Sequence, residues 1–253
     1  MRQLKIVDSG VLVSKTVEVD IPERFAEMSV EQFLAVCAIH RNEIDEEQFL
    51  LRFFGIKANL FARLDKFYIF KLTELLQCLK DSEGVDKMFI TSIRSGNTEY
   101  KAPLPRLAGM TLMQFMTVDT YASWYDYTNK DDFLYKFVAA LMLENGEEFK
   151  EVDLDETSQT FQMSARENES LYKDLVINWS LIRAWLGRVY PSLFPQSQGG
   201  GEKKKKERPA SWVEVYDALV GDNLMNLEAY KTLPAMDVLR VMNTRIREGK
   251  KRK

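Results

Sequence analysis

Histidine is almost absent from this chain: His40 is the one imidazole in 253 residues. That scarcity removes most catalytic triads that need an imidazole, His-rich metal centres and imidazole relays. Cysteine is nearly as rare, and Cys37 and Cys78 are too few for a disulfide framework and suit a reducing compartment. Long apolar runs are missing too. Phe33 to Ile39 and Phe137 to Leu143 reach only seven residues each, where a membrane-spanning helix needs roughly 20. Met1-Arg2-Gln3-Leu4-Lys5 leads into alternating apolar residues, so no secretory leader is expected. The 45% hydrophobic and 29% charged residues that are present suffice for one large domain or two small ones with real cores.

The chain echoes itself. Arg24-Phe25-Ala26-Glu27-Met28-Ser29-Val30-Glu31-Gln32-Phe33-Leu34-Ala35-Val36 aligns with Arg106-Leu107-Ala108-Gly109-Met110-Thr111-Leu112-Met113-Gln114-Phe115-Met116-Thr117-Val118, with six of thirteen positions identical. Phe49 to Phe54 resembles Phe133 to Val138, and Leu60 to Leu64 more weakly resembles Leu171 to Leu175. Ser29-x-x-Gln32 and Thr111-x-x-Gln114 are capping boxes that mark helix starts. From them Val30, Phe33, Leu34 and Cys37, and likewise Leu112, Phe115 and Met116, form helical stripes. Upstream, Leu4–Val7 and Val13–Ile21 flank Asp8-Ser9-Gly10, while Met88–Ile93 and Thr98–Ala102 flank Ser95-Gly96-Asn97, and both stretches predict β-hairpins. The expected fold is α+β and predominantly helical: a tandem duplication of a hairpin plus three helices, over 1–85 and 86–195.

Within the second copy, nine acids face two bases from Glu144 to Glu169. This acidic insertion, 144–169, predicts a solvated loop or short hairpin, with an acidic docking surface as the alternative. A helix is expected from about Glu169 to Val189, stopping before Tyr190-Pro191. Composition then changes at 196–209, where Gly199-Gly200-Gly201 and Lys203, Lys204, Lys205 and Lys206 predict a flexible basic linker. Beyond it, 210–253 reads as a small helical module. It carries Trp212, Val215 and Leu219 on one stripe and Val238, Leu239, Met242 and Ile246 on another. It is too small for an independent core, so docking on the main domain or on a partner is expected. Residues 202–253 hold thirteen Lys and Arg against eight Asp and Glu, a cationic tail on an anionic body. Its end, Lys250, Lys251, Arg252 and Lys253, could contact phosphates. It lacks interleaved aromatics and any nucleic-acid motif, which favours a solubilising or partner-steering tail.

Catalytic and metal readings find little support. Cys37-x-x-His40 offers two ligands where a structural zinc site needs four, so both are expected in the core. Asp131-Asp132 and Asp153-x-Asp155-Glu156 lack the calcium-loop pattern; helix capping and a solvated loop are the expected roles. The glycine run lacks the Gly-Lys-Ser/Thr ending of a phosphate loop. No cofactor, metal or catalytic residue is assigned.

The linker adds a clue through the genetic code. Gly201-Glu202-Lys203-Lys204-Lys205-Lys206 requires GGN-GAR followed by four AAR codons, a purine-rich stretch of the kind on which ribosomes slip frame. A complete helical domain, a slippery stretch and a short extension resemble the tail assembly chaperones of long-tailed bacteriophages. Leu104-Pro105-x-Leu107 with Met110-Thr111-x-x-Gln114-Phe115, and Trp185-Leu186 with Tyr190-Pro191-x-Leu193-Phe194, also look like small tail-region proteins of prophages from Bacteroides-type bacteria. The resemblance implies a non-enzymatic protein of the bacterial host cytoplasm whose main domain coats the tape-measure protein and whose extension recruits tail-tube subunits. Helix-in-groove contacts through Trp212, Tyr216, Leu219 and Met225 are then expected, with Lys203 to Lys206 as the joint. Self-association is left open. The alternatives are a virion structural protein of the connector or tail, and a nucleic-acid-binding accessory protein; no membrane partner is expected.

Overall fold

The computed structural model describes residues 2–9, 14–80, 84–144, 147–195, 209, 211–221 and 227–251. The fold is α+β and predominantly helical, and the chain divides into two units, Met1–Val85 and Asp86–Lys253.

In the first unit, β1 (Arg2–Ser9) and β2 (Ser14–Ile21) form an antiparallel pair with Arg2 opposite Ile21 and Ser9 opposite Ser14. Period-2 alternation places Val19 and Ile21 on the buried face. After a 3-10 turn at Phe25–Glu27, Ser29 caps α1 (Val30–His40) with a complete capping box: Ser29 Oγ accepts from Gln32 N, and Gln32 Oε1 accepts from Ser29 N. Gln32 Nε2 donates to Asp20 O at 3.0 Å and ties the helix to β2. Helix α2 (Glu46–Phe54) starts on the Asp45 carboxylate, ends at Gly55 with φ +63°, and buries Phe49, Leu50, Phe53 and Phe54. The short α3 (Ala58–Phe61) and α4 (Lys66–Glu74) follow. Helix α4 buries only Leu72, whereas Phe67, Tyr68 and Phe70 stand 60%, 60% and 58% exposed.

The second unit opens with a hairpin of β3 (Ser92–Ser95) and β4 (Thr98–Lys101), turned by Gly96 at φ +59° in the first central position, where a type II′ turn requires glycine. A short β5 (Leu143–Glu144) adds to β4. The strand expected from Met88 begins only at Ser92, because the backbone ahead of it is used otherwise. Phe89 N donates to Asn178 Oδ1 at 2.6 Å, and Lys87 O accepts from Asn178 Nδ2 at 3.2 Å. At Arg106 and Leu107, φ values of +59° and +55° mark a strained turn. Asp86 holds it by accepting from Arg106 N through its carbonyl and from Arg106 Nε through its carboxylate.

Helices α5 (Leu112–Thr128), α6 (Asp131–Leu141) and α7 (Leu154–Val189) form the body of this unit, with α6 packed against both neighbours. Leu134, Phe137, Val138, Ala140 and Leu141 of α6 are fully buried. The acidic insertion expected as a loop is for the most part the first half of α7, which runs unbroken for 36 residues. Leu154, Phe161, Ala165, Tyr172, Leu175, Trp179, Ile182 and Leu186 recur at helical spacing and are buried. Asp155, Glu156, Glu167 and Glu169 lie on the exposed side. Charge density hid an amphipathic stripe. Asp155 and Glu156 occupy the first turn of α7, as Asp131 and Asp132 do in α6, where the helix dipole favours acids.

The order hairpin, 3-10 turn, hydroxyl N-cap, helix, helix thus recurs in both units. Met28 and Met110, Phe33 and Phe115, and Gln32 and Gln114 are buried pairwise at aligned positions, the pattern a duplicated unit would leave. The second unit departs from the pattern at its N-cap. Thr111 Oγ1 accepts from Gln114 N, but Gln114 Nε2 donates to Ala140 O at 2.9 Å, linking α5 to α6, so the expected reciprocal box is formed on one side only.

Candidate functional site

The C-terminal module settles on the second unit itself. Helices α8 (Trp212–Val220), α9 (Leu227–Lys231) and α10 (Ala235–Lys251) belong to it, and α9 and α10 pack against α5. Two backbone hydrogen bonds stitch the start of α10 to the start of α5: Ala235 N donates to Met110 O at 2.9 Å, and Leu112 N donates to Leu233 O at 2.8 Å. The second satisfies one of the amides that every helix start leaves without an intrahelical partner. Asn243 Oδ1 accepts from Ser192 N and Leu193 N, and Tyr190 OH donates to Met236 O, so α10 also caps the exit of α7. Val238, Leu239 and Met242 are buried.

Helix α8 is held differently, through side chains converging on one carboxylate. Asp119 sits on the apolar face of α5, one turn beyond Phe115, and is 2% exposed. An ionised carboxylate in such a place is costly unless it is met by donors. Trp179 Nε1 of α7 donates to Oδ1 at 3.2 Å, Trp212 Nε1 of α8 donates to Oδ2 at 2.8 Å, and Arg183 Nε lies 3.1 Å from Oδ1. Arg183 Nη1 donates in turn to Ser123 Oγ. Around these donors the rings form a cage: Phe115 lies 5.3 Å from Trp212 and 5.8 Å from Trp179, and Phe194 lies 6.0 Å from Trp212. The recess opens into a cavity of about 580 Å³ between α5 and α7, lined among others by Ala122, Ser123, Tyr127, Val176, Ile177 and Ser180. With both oxygens engaged and aromatic walls around them, the arrangement is suited to holding an indole-bearing helix.

Of the expected partner contacts, Trp212 is half-buried on Asp119, while Tyr216 and Leu219 are 6% and 8% exposed against the same unit. Burial pushes the Tyr216 phenol up from its ordinary value. These faces are therefore covered from within the chain. Met225, Lys203 to Lys206, Arg252 and Lys253 lie outside the described residues. Lys250 is exposed near the end of α10, and Lys251 is the last residue of that helix. Cys37 is fully buried, and desolvation raises its thiol to about 12. His40, expected in the core, is exposed instead: it falls on the stripe of Phe33 and Cys37 but is the last residue of α1, where the helix ends. Among the described residues no group of three or more His, Cys, Asp or Glu is placed to hold a metal ion, and no helix is long and apolar enough to cross a membrane.

Asp119 was the site residue that sequence patterning passed over. The stripe Leu112, Phe115, Met116 continues to Asp119 and Ala122 at helical spacing, and an acid in line with buried aromatics is the signal that would have found it. Comparison with protein-family models, curated proteins and solved structures finds nothing that matches this chain.

Proposed function

We propose that the chain is a non-enzymatic phage or prophage tail assembly chaperone that binds apolar helices of a long coiled-coil partner, the tape-measure protein, and recruits tail-tube subunits in the host cytoplasm. The observation that supports this reading best is the outer face of α4. Phe67, Tyr68 and Phe70 expose well over half of their surface on one short helix, and contiguous exposed aromatic surface on a folded protein marks a protein-binding face. Lys71 lies 5.7 Å from the Phe67 ring centroid and pairs with Glu74, giving the aromatic patch a charged border. Such a face accepts an amphipathic helix by the anchor logic of helix-in-groove recognition, with aromatic side chains as hot spots. Trp212, Tyr216 and Leu219 become a second contact face only where the C-terminal module is lifted from α5 and α7.

The test is co-expression of the tagged full chain with the tape-measure protein of the same genome. Wild type is expected to retain that partner, and a Phe67→Ser/Phe70→Ser double variant to lose it while keeping the wild-type circular dichroism spectrum. Retention by the double variant would overturn the role of α4. The protein in purified particles gives the second readout: a chaperone is absent from them, and stoichiometric presence would move the reading to a structural tail or connector protein. Intact mass of everything translated from the native gene supplies the third, since a shorter product diverging near Lys203 to Lys206 is expected for a frameshifted chaperone.

A further inference from the structure

The aromatic face of α4 is one seam wide, and lysines border it on both sides. Phe67 and Phe70 stand three positions apart, as adjacent a and d anchors of a heptad do, while Leu72, on the opposite side of the helix, packs into the unit. In that frame Lys66 precedes the first anchor at position g, and Lys71 follows the second at position e. Both are exposed. Lys66 makes no ion pair among the described residues. The pair of Lys71 with Glu74 joins side chains that are 52% and 46% exposed, too weak a bond to withhold Lys71 from a better-placed acid. Glu74 falls on the next a position and closes the seam after its two anchors. The surrounding charge has the same sign as the lysines. From Arg52 to Lys71 five bases face one acid, a net +4, and Arg52, Lys57 and Arg63 are exposed like the two lysines. Residues 1–85 hold eleven bases and fourteen acids, a net −3, so the rest of the unit carries −7.

We infer that α4 chooses its partner by charge: it docks amphipathic helices whose apolar seam is flanked by glutamate or aspartate, and rejects those flanked by lysine or arginine. The inference rests on the reading of α4 as a helix-docking face and adds the chemistry of the helix it takes. Apolar anchors supply affinity but discriminate little among apolar seams. Residues at e and g decide pairing, because opposite charges there attract across the seam and like charges repel. The cationic field of 52–71 acts in the same direction on encounter, drawing in an acidic helix and slowing a basic one. Single-stranded nucleic acid, the other anionic occupant, fits this face less well. Lys71 stands over the Phe67 ring, 5.7 Å from its centroid, on a face that a stacked base would need, and Glu74 sets a negative charge in line with the two phenylalanines.

The experiment uses the full chain and two synthetic peptides, each about four heptads long with leucine at every a and d position. One carries glutamate at every e and g position and the other lysine, so each repels itself and stays single. Fluorescence anisotropy at low salt should show the glutamate peptide binding on the order of tenfold more tightly than the lysine peptide, a preference that shrinks as salt rises. A Lys66→Glu/Lys71→Glu variant with an unchanged circular dichroism spectrum should reverse the preference, and Phe67→Ser/Phe70→Ser should lose both peptides. Equal binding of the two peptides, binding of neither, or a preference that charge reversal leaves unchanged overturns the inference, whereas retention of the tape-measure protein continues to decide the chaperone reading. Undiminished binding of the glutamate peptide to Phe67→Ser/Phe70→Ser overturns both the inference and the docking role of α4. A labelled oligothymidylate that binds wild type more tightly than the glutamate peptide does, and is lost from the same variant, would assign the face to single-stranded nucleic acid and overturn the inference as well.

Discussion

Removing the carboxylate of Asp119 strands two indole N–H groups at once, and the cost follows from their burial. Trp179 is 1% exposed and Trp212 half-buried, and a hydrogen bond to a charged acceptor contributes about 1.5–3 kcal/mol. Arg183, with 42% of its side chain exposed, regains water and adds little. Asp119→Ala should therefore cost about 3–5 kcal/mol, the range for breaking a buried charged cluster from one side. Trp212→Phe keeps the ring against Phe115 and Phe194 and deletes only the donor, for about 2 kcal/mol. In the double variant the lost bond is counted once, so the coupling between the two positions should be about 1.5–3 kcal/mol. The assay is urea unfolding followed by tryptophan fluorescence. All four tryptophans, at 124, 179, 185 and 212, lie in the second unit, so the signal reports that unit alone. A coupling below about 0.5 kcal/mol would refute the reasoning, because the 2.8 Å contact would then contribute nothing specific to seating α8.

Further outcomes follow from other buried groups. Phe161, fully buried between Tyr100 and Tyr172 at 4.8 and 5.8 Å, should cost about 3–5 kcal/mol on replacement by Ala. An unchanged midpoint in the same fluorescence assay would mean that the acidic half of α7 does not pack on the hairpin. Asn178→Asp puts an acceptor opposite Lys87 O in place of a donor, and should destabilise by at least the ~1–3 kcal/mol of an unsatisfied buried group. Proteolysis near residues 86–91, faster than in wild type, is its local signature. The thiol of Cys37 ionises near 9 when unfolded and near 12 when folded. The unfolded state therefore loses its proton first, and stability falls as pH rises from 9 towards 12, by about 1.4 kcal/mol per unit. Cys37→Ala should remove that decline, measured by far-ultraviolet circular dichroism in urea. At pH 8 a thiol reagent should leave both cysteines of the native protein unmodified.

Local signals carried most of the architecture. Ser29 and Thr111 start helices where a hydroxyl precedes an apolar stripe, and Ser95-Gly96-Asn97 turns a hairpin because glycine alone takes φ +59° there without strain. Long-range polar matches were invisible. Nothing near Met88 announces that its neighbours' backbone bonds go to Asn178, about ninety positions away, and that substitution of a side chain for a strand partner shortened β3. The first half of α7 was misread for a different reason. Over 144–169 acids outnumber apolar residues, but Leu154, Phe161 and Ala165, with Tyr172 beyond them, fall on one side of the helix, and the position of apolar residues decides helix burial, not their proportion.

Amphipathicity also says that a face is covered without saying by what, and the two aligned segments show where that information resides. Alignment of Arg24 with Arg106 carries Cys37 onto Asp119. Both positions are buried, at 0% and 2% exposure, so the backbone offers each the same dry environment. A thiol meets it without partners, as the upward shift of Cys37 reflects. A carboxylate does not, and at Asp119 it is met by two indoles and a guanidinium drawn from α7 and α8. Cys37 needs no such donors, whereas Asp119 takes one of its three from the C-terminal module. Asp119→Cys would thus give α5 the residue that α1 has at the aligned position. The core is expected to accept the smaller apolar group, but Trp212 would lose its acceptor and α8 its polar anchor, while α10 stays stitched to Met110 and Leu112. Hydrogen exchange that quickens across α8 and stays slow across α10 is the expected result; equal protection of both helices would show that ring packing alone seats α8.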